Sequence, residues 1–113
     1  GKLAGWAASP GRVSGTARVI AGLAAAGALR PGDVLVAQAT DPSWTPVLAR
    51  AGALVLETGG PLSHGAIVAR ELGIPAVLCV PGATRSIADG EMVEVDGYSG
   101  VVNRVAATIQ EAV

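Results

Sequence analysis

Apolar residues in this chain fall in short blocks separated by turns rich in glycine and proline. Val34-Leu35-Val36-Ala37, Ala53-Leu54-Val55-Leu56 and residues 76–80 are such blocks, each bounded by turn formers, and they read as buried strands. Val13, Val19 and Ile20, with small residues between them, predict a strand over residues 12–20. Residues 91–95 alternate as a half-exposed strand, and Asp96-Gly97 turns it toward Val101-Val102 as a hairpin partner. Residues 1–8 read only as an apolar lead-in to the turn at Ser9-Pro10-Gly11, and residues 21–29 are too rich in Ala and Gly to assign. Thr45 is expected to cap a short helix with Pro46 in its first position and Gly52 beyond its end. A helical turn is expected near Thr84, and residues 105–113 read as a terminal helix or a linker.

One stretch breaks the pattern. Between the block ending at Leu56 and the block starting at Ala76 lies Glu57-Thr58-Gly59-Gly60-Pro61-Leu62-Ser63-His64-Gly65-Ala66, followed by a short helical pattern. Gly59, Gly60 and Pro61 let the backbone turn sharply and approach a ligand closely. Ser63 is expected as the N-cap, Ala66 to Ala69 as the apolar run, Arg70 in the last turn, and Gly73 with Pro75 as the stop. Strand, glycine turn, helix and strand form a β-α-β unit, giving a mixed α/β domain in which His64 lies at the carboxyl end of a strand.

That placement carries chemistry. Unpaired N–H groups and the positive end of a helix dipole favour an anion, and the same field disfavours an imidazolium, leaving a nucleophilic ring nitrogen. A phosphoryl group accepted by His64 would find backbone donors around it, with Ser63, Gly65, Gly60, Gly59 and Thr58 as the phosphate-supporting residues. Arg70 lies six residues further on, too far along the helix to share that phosphate, and reads as a docking residue or a partner of the helix C-terminus. Asp41, Trp44 and Asp96 read as structural, with Trp44 as a core plug.

Composition narrows the picture. With 113 residues the chain is one domain, too small to hold separate nucleotide and acceptor sites. The formal net charge of −1, with no basic stripe, argues against nucleic-acid binding. No segment is long enough for a membrane span. One His and one Cys cannot build a structural metal site. Cys79, in an apolar run, is expected to be a buried reduced thiol, which suits the cytoplasm. Only Met92 is present as methionine, so the chain is expected to be a piece of something longer. Ser63 lacks the first Gly of a nucleophile elbow, which sets aside serine hydrolase chemistry.

The run Gly59-Gly60-Pro61-Leu62-Ser63-His64-Gly65-Ala66, with Ala69-Arg70-Glu71 and Gly73-Ile74-Pro75-Ala76-Val77, closely resembles the swivelling phosphohistidine domain of the phosphoenolpyruvate-utilising enzymes. Ser9-Pro10-Gly11, Thr40-Asp41-Pro42-Ser43-Trp44-Thr45-Pro46 and Val95-Asp96-Gly97 extend the resemblance over nearly the whole chain. Leu62 stands where the phosphoenolpyruvate synthases and enzyme I usually have Thr, which is more similar to the rifampicin phosphotransferase type.

The resemblance implies a swivelling β/β/α fold and a phosphocarrier domain spanning residues 1–113 within a larger phosphotransferase. It implies that His64 takes a phosphoryl group on Nε2 and passes it to an acceptor such as pyruvate or an antibiotic hydroxyl. It further implies that ATP, as donor of its β-phosphoryl, and Mg²⁺ sit on a partner ATP-grasp domain, with no cofactor bound by this chain and the acceptor on another domain. The alternative is a swivelling or docking module that has lost phosphotransfer.

Overall fold

The computed structural model describes residues 1–105. Its strands are β1 (Lys2–Ala4), β2 (Trp6–Ser9), β3 (Arg12–Val19), β4 (Val34–Ala37), β5 (Ala53–Leu56), β6 (Ala76–Leu78), β7 (Met92–Asp96) and β8 (Val101–Arg104). The helices are α1 (Thr45–Leu48), α2 (His64–Leu72) and α3 (Ala83–Ser86), with 3₁₀ turns at Leu23–Ala28 and Pro42–Trp44. The strand order is β1-β8-β7-β3-β4-β5-β6-β2.

Strand β3 belongs to two sheets. Arg12 to Thr16 pair antiparallel with β7, and Ala17 to Val19 then pair parallel with β4. One sheet is antiparallel (β1, β8, β7 and the start of β3), and the other is parallel through β3, β4, β5 and β6, with β2 antiparallel on its edge.

The buried blocks show how the layers stack. Val34, Val36, Val55 and Val77 share one core with Val93, Val95 and Val102 of the antiparallel sheet. Leu35, Leu54, Leu56 and Leu78 share the other with Ala66 and Ala69 of α2 and with Trp44 and Leu48. Because successive strand residues face opposite sides, Val alternating with Leu gives the sheet a thin β-branched face toward its sister sheet and a longer face toward the helices. The result is a β/β/α sandwich.

Several sequence expectations need correction. Residues 1–8 are two strands on opposite edges, joined through Gly5, and not a mere lead-in. A Cβ on Gly5 would lie 2.2 Å from the Leu78 carbonyl oxygen, so only glycine lets the chain cross there. The segment without an assignment holds the 3₁₀ turn Leu23–Ala28. The strand expected to reach Val80 stops at Leu78, because Cys79 adopts a φ of 58°, and its thiol is exposed rather than buried. Trp44 is 6% exposed and fills the helix-side core as expected. Val105 carries no regular structure, and the rest of the terminal helix or linker expectation lies outside the described residues. Among the described residues, no helix is long and apolar enough to cross a membrane.

Candidate functional site

Helix α2 runs from His64 to Leu72 and is closed by Gly73, whose φ of 72° is left-handed. Its buried residues are Gly65, Ala66 and Ala69, and this small-residue face lets the helix lie close to β5. A Cβ on Gly65 would come within 2.9 Å of Leu56 Cδ1 and 3.5 Å of Thr40 Oγ1. Glycine there brings the first turn of α2 against the segment that follows β4.

That approach places His64 between two hydroxyls. Its Nδ1 lies 2.9 Å from Thr40 Oγ1, and its Nε2 lies 3.0 Å from Thr45 Oγ1. Thr45 also donates to the Pro42 carbonyl at 2.9 Å. A hydroxyl has one proton, which fixes the alternatives. If Thr45 keeps its bond to Pro42, it accepts from Nε2–H, and Nδ1 accepts from Thr40. If Thr45 turns its proton to Nε2, then Nδ1–H donates to Thr40. The pair of threonines holds the ring plane, and the tautomer follows from which way the Thr45 hydroxyl proton points.

Neither threonine stands out in the sequence as a partner of His64, since they precede it by 24 and 19 residues. The Thr-x-x-x-x-Thr spacing around Asp41-Pro42 was the available signal. Asp41 caps the Pro42–Trp44 turn by accepting from the Ser43 N–H at 2.9 Å and from the Ser43 hydroxyl. Those two bonds, the hydroxyl first, and the nearby His64 ring hold the Asp41 carboxyl below its ordinary value. Thr45 was expected to cap α1; it is instead the first residue of that helix and spends its hydroxyl on Pro42 and His64.

Ser63 occupies the N-cap position of α2, but its hydroxyl donates to the Gly60 carbonyl at 2.7 Å and caps no N–H. The expectation of side-chain capping is therefore corrected. The N–H groups of the first turn are left without a side-chain acceptor, and that turn holds no acidic residue. Thr58 donates to the Gln38 carbonyl at 3.0 Å, which ties the end of β5 to the end of β4. Glu57, just before it, accepts from the Thr84 hydroxyl at 2.6 Å and the Thr84 N–H at 2.8 Å; these bonds, the hydroxyl first, keep its carboxyl below the usual range.

Arg70 is engaged within the domain. Its Nε donates to the Ala8 carbonyl at 2.9 Å, its Nη1 to the Pro61 carbonyl at 3.1 Å, and its guanidinium lies 5.7 Å from the centre of the Trp6 ring. The turn is thereby anchored by its carbonyls. Gly59 O accepts from the Cys79 thiol, Gly60 O from Ser63 and Pro61 O from Arg70. Among the described residues all peptides are trans, so each N–H points opposite to the preceding carbonyl. The N–H groups of Gly60 and Leu62 therefore face away from those anchors, and neither has a partner among the described residues. Like the N–H groups of the open first turn of α2, they are donors of the kind an anion takes up.

Of the residues expected to support a phosphate, Ser63 and Thr58 spend their hydroxyls on the Gly60 and Gln38 carbonyls, and Gly65 places the first turn of α2 against Leu56 and Thr40. Among the described residues no group of His, Cys, Asp and Glu could hold a metal ion, and no pocket could enclose a nucleotide.

Residues 29–100 match the model of the PEP-utilising enzyme mobile domain. The chain belongs to that family. It is 52% identical over 103 residues to the prodigiosin synthesizing transferase PigC of Serratia marcescens, covering 90% of this chain and 12% of that protein. It is 48% identical over 102 residues to the rifampicin phosphotransferase of Streptomyces sviceus, again covering 90% of this chain and 12% of the relative. A solution structure of an Enzyme I protein superposes with a TM-score of 0.62 at 33% identity, covering 71% of this chain and 33% of that one. The mobile domain thus spans about an eighth of those two relatives, which carry further domains on the same chain.

Proposed function

We propose that this domain is a phosphocarrier in which His64 is transiently phosphorylated and then hands the group to an acceptor held elsewhere. The observation that carries this reading is the pairing of both ring nitrogens of His64 with Thr40 and Thr45 beside a turn whose Gly60 and Leu62 N–H groups have no partner among the described residues. A core histidine would not need donors of this kind next to it.

In the productive arrangement Nδ1–H donates to Thr40, and Thr45 turns away to expose the Nε2 lone pair. Nε2 then attacks phosphorus, the N–P bond forms as the bond to the donor's bridging oxygen breaks, and that oxygen leaves with the electron pair. No proton has to leave the ring during the attack. The positive charge gained by the imidazole is balanced by the phosphoryl oxygens. Reversal of these steps at a second site completes the transfer.

The donor in this reading is ATP, bound with Mg²⁺ on an ATP-grasp partner domain; attack at its β phosphorus releases AMP and leaves the β,γ-pyrophosphoryl group on Nε2, and transfer of the γ-phosphoryl to water then leaves the β-phosphoryl on the ring. The acceptor is pyruvate or an antibiotic-type hydroxyl; the rifampicin phosphotransferase relative supports the latter. The work takes place in the cytoplasm, where ATP is abundant. To test the donor assignment, the polypeptide that carries this domain is supplied with ATP labelled at either the β or the γ position. Label on His64 from the β position with release of AMP supports it; label only from the γ position rejects it.

A further inference from the structure

We propose that Asp41 is a positioning residue for His64, acting on the ring through Thr40 and Thr45. The inference rests on the carrier reading and adds the group that holds both hydroxyls in place. Asp41 directly follows Thr40 and precedes Thr45, so it lies in the stretch that joins the two partners of the ring. Its backbone is extended, with φ −141° and ψ 178°, and its carboxylate accepts from the N–H and the hydroxyl of Ser43. Its carbonyl accepts from the Trp44 N–H at 2.9 Å. These bonds cap the helical run that starts at Pro42 and passes into α1 at Thr45.

The turn so wound sets the place of Thr45. The Pro42 carbonyl takes both the backbone N–H and the hydroxyl of Thr45, the latter at 2.9 Å, and that hydroxyl lies 3.0 Å from His64 Nε2. The direction of the Pro42 carbonyl therefore decides where the Thr45 oxygen sits relative to the ring. Trp44 anchors the same turn in the core, and Asp41 is the side chain that caps it. Both hydrogen bonds of the Asp41 carboxylate go to Ser43. Its hold on His64 runs through the backbone and the two threonine hydroxyls, not through a bond to the ring.

Two phosphoryl sources test this in the polypeptide that carries the domain. Mg-ATP labels His64 through the donor domain, whereas potassium phosphoramidate acts directly: its P–N bond breaks as the bond to a ring nitrogen forms, and ammonia leaves. Asp41→Ala is expected to slow single-turnover labelling from both sources by roughly 3- to 30-fold, the equivalent of a lost cap. Asp41→Asn keeps an acceptor for the Ser43 N–H and is expected to stay within about 2-fold of the parent. Asp41→Gly lacks the acceptor but is a tolerated N-cap residue, so it reads the same loss with less damage to the fold. In a Thr40→Val/Thr45→Val background, Asp41→Ala is expected to add less than about 2-fold, because the route to the ring is already cut. A residue that served the fold alone would lower the rate alike in both backgrounds.

Unchanged labelling of Asp41→Ala and Asp41→Gly would overturn the proposal. So would a loss in Asp41→Asn equal to that in Asp41→Ala, which would assign the effect to charge. A loss confined to ATP, which would place Asp41 against the donor domain, or a fully additive loss in the valine background, would overturn it as well. Failure of the unsubstituted protein to take label at His64 from either source would instead refute the carrier reading itself.

Discussion

Thr40 Oγ1 lies 2.9 Å from His64 Nδ1, and Gly65 is what allows the two elements that carry them to meet. This bond leaves Nε2 as the reactive atom when Thr40 accepts from Nδ1–H. Thr40→Val removes the acceptor while keeping the shape. It is expected to slow His64 phosphorylation by about 10- to 100-fold, the equivalent of one charge-assisted hydrogen bond. Thr40→Ser should retain most of the rate. Initial rates of label incorporation, measured beside unfolding curves, separate this from a loss of fold.

Gly59 combines a φ of 127° with close packing, since a Cβ there would lie 2.9 Å from Leu78 Cδ1 and 3.3 Å from Ser63 Oγ. Gly59→Ala is expected to cost about 1–3 kcal/mol through backbone strain and to displace the turn that bears the unpartnered N–H groups. Urea unfolding reads the first effect, and the lifetime of the phosphorylated form reads the second. Gly60 has open space around its Cα, and Gly60→Ala should be milder in both.

Arg70→Ala frees the Ala8 and Pro61 carbonyls and uncovers the Trp6 ring. The expected loss is about 1–3 kcal/mol, visible as a drop in Tm of several degrees. An unchanged Tm would mean that Arg70 contributes nothing to holding the turn against β2.

Asp96 gives a prediction about pH. The Ser99 hydroxyl, the Tyr98 and Ser99 N–H groups and Arg12 lower its pKa from 3.8 to about 2. Between those values the unfolded chain binds more protons than the folded one, so stability rises with pH through that window. The contribution is present above pH 3.8 and is lost as pH falls toward about 2. Asp96→Asn should flatten this part of the curve of urea midpoint against pH.

Much of the parallel sheet and of α2 could be read in the sequence, because Val34 to Ala37 and Ala53 to Leu56 are uninterrupted apolar blocks and Gly73 marks a helix stop. Strands β1 and β2 could not be read that way. They are short, lie on sheet edges, and are held by pairing with β8 and β6, distant in the chain. The exposure of Cys79 is not legible in the sequence, because an apolar neighbourhood does not reveal a left-handed residue whose side chain is exposed. At the site, His64 and its glycines were legible from local spacing. Thr40 and Thr45 were not, since only the placement of α2 beside α1 and the loop after β4 brings them to the ring. Ser63 shows the limit of capping rules: the residue type was right for the position, but Gly60 offered its hydroxyl a nearer acceptor.

The central claim is that His64 becomes covalently phosphorylated. The most direct measurement supplies labelled ATP to the polypeptide that carries this domain and compares it with His64→Ala, a clean control because the domain has one histidine. The account predicts label on this domain that is lost in acid, survives base, and is absent from the variant. Label of the same amount and stability in His64→Ala, or none in the parent while the donor domain hydrolyses ATP, would contradict it.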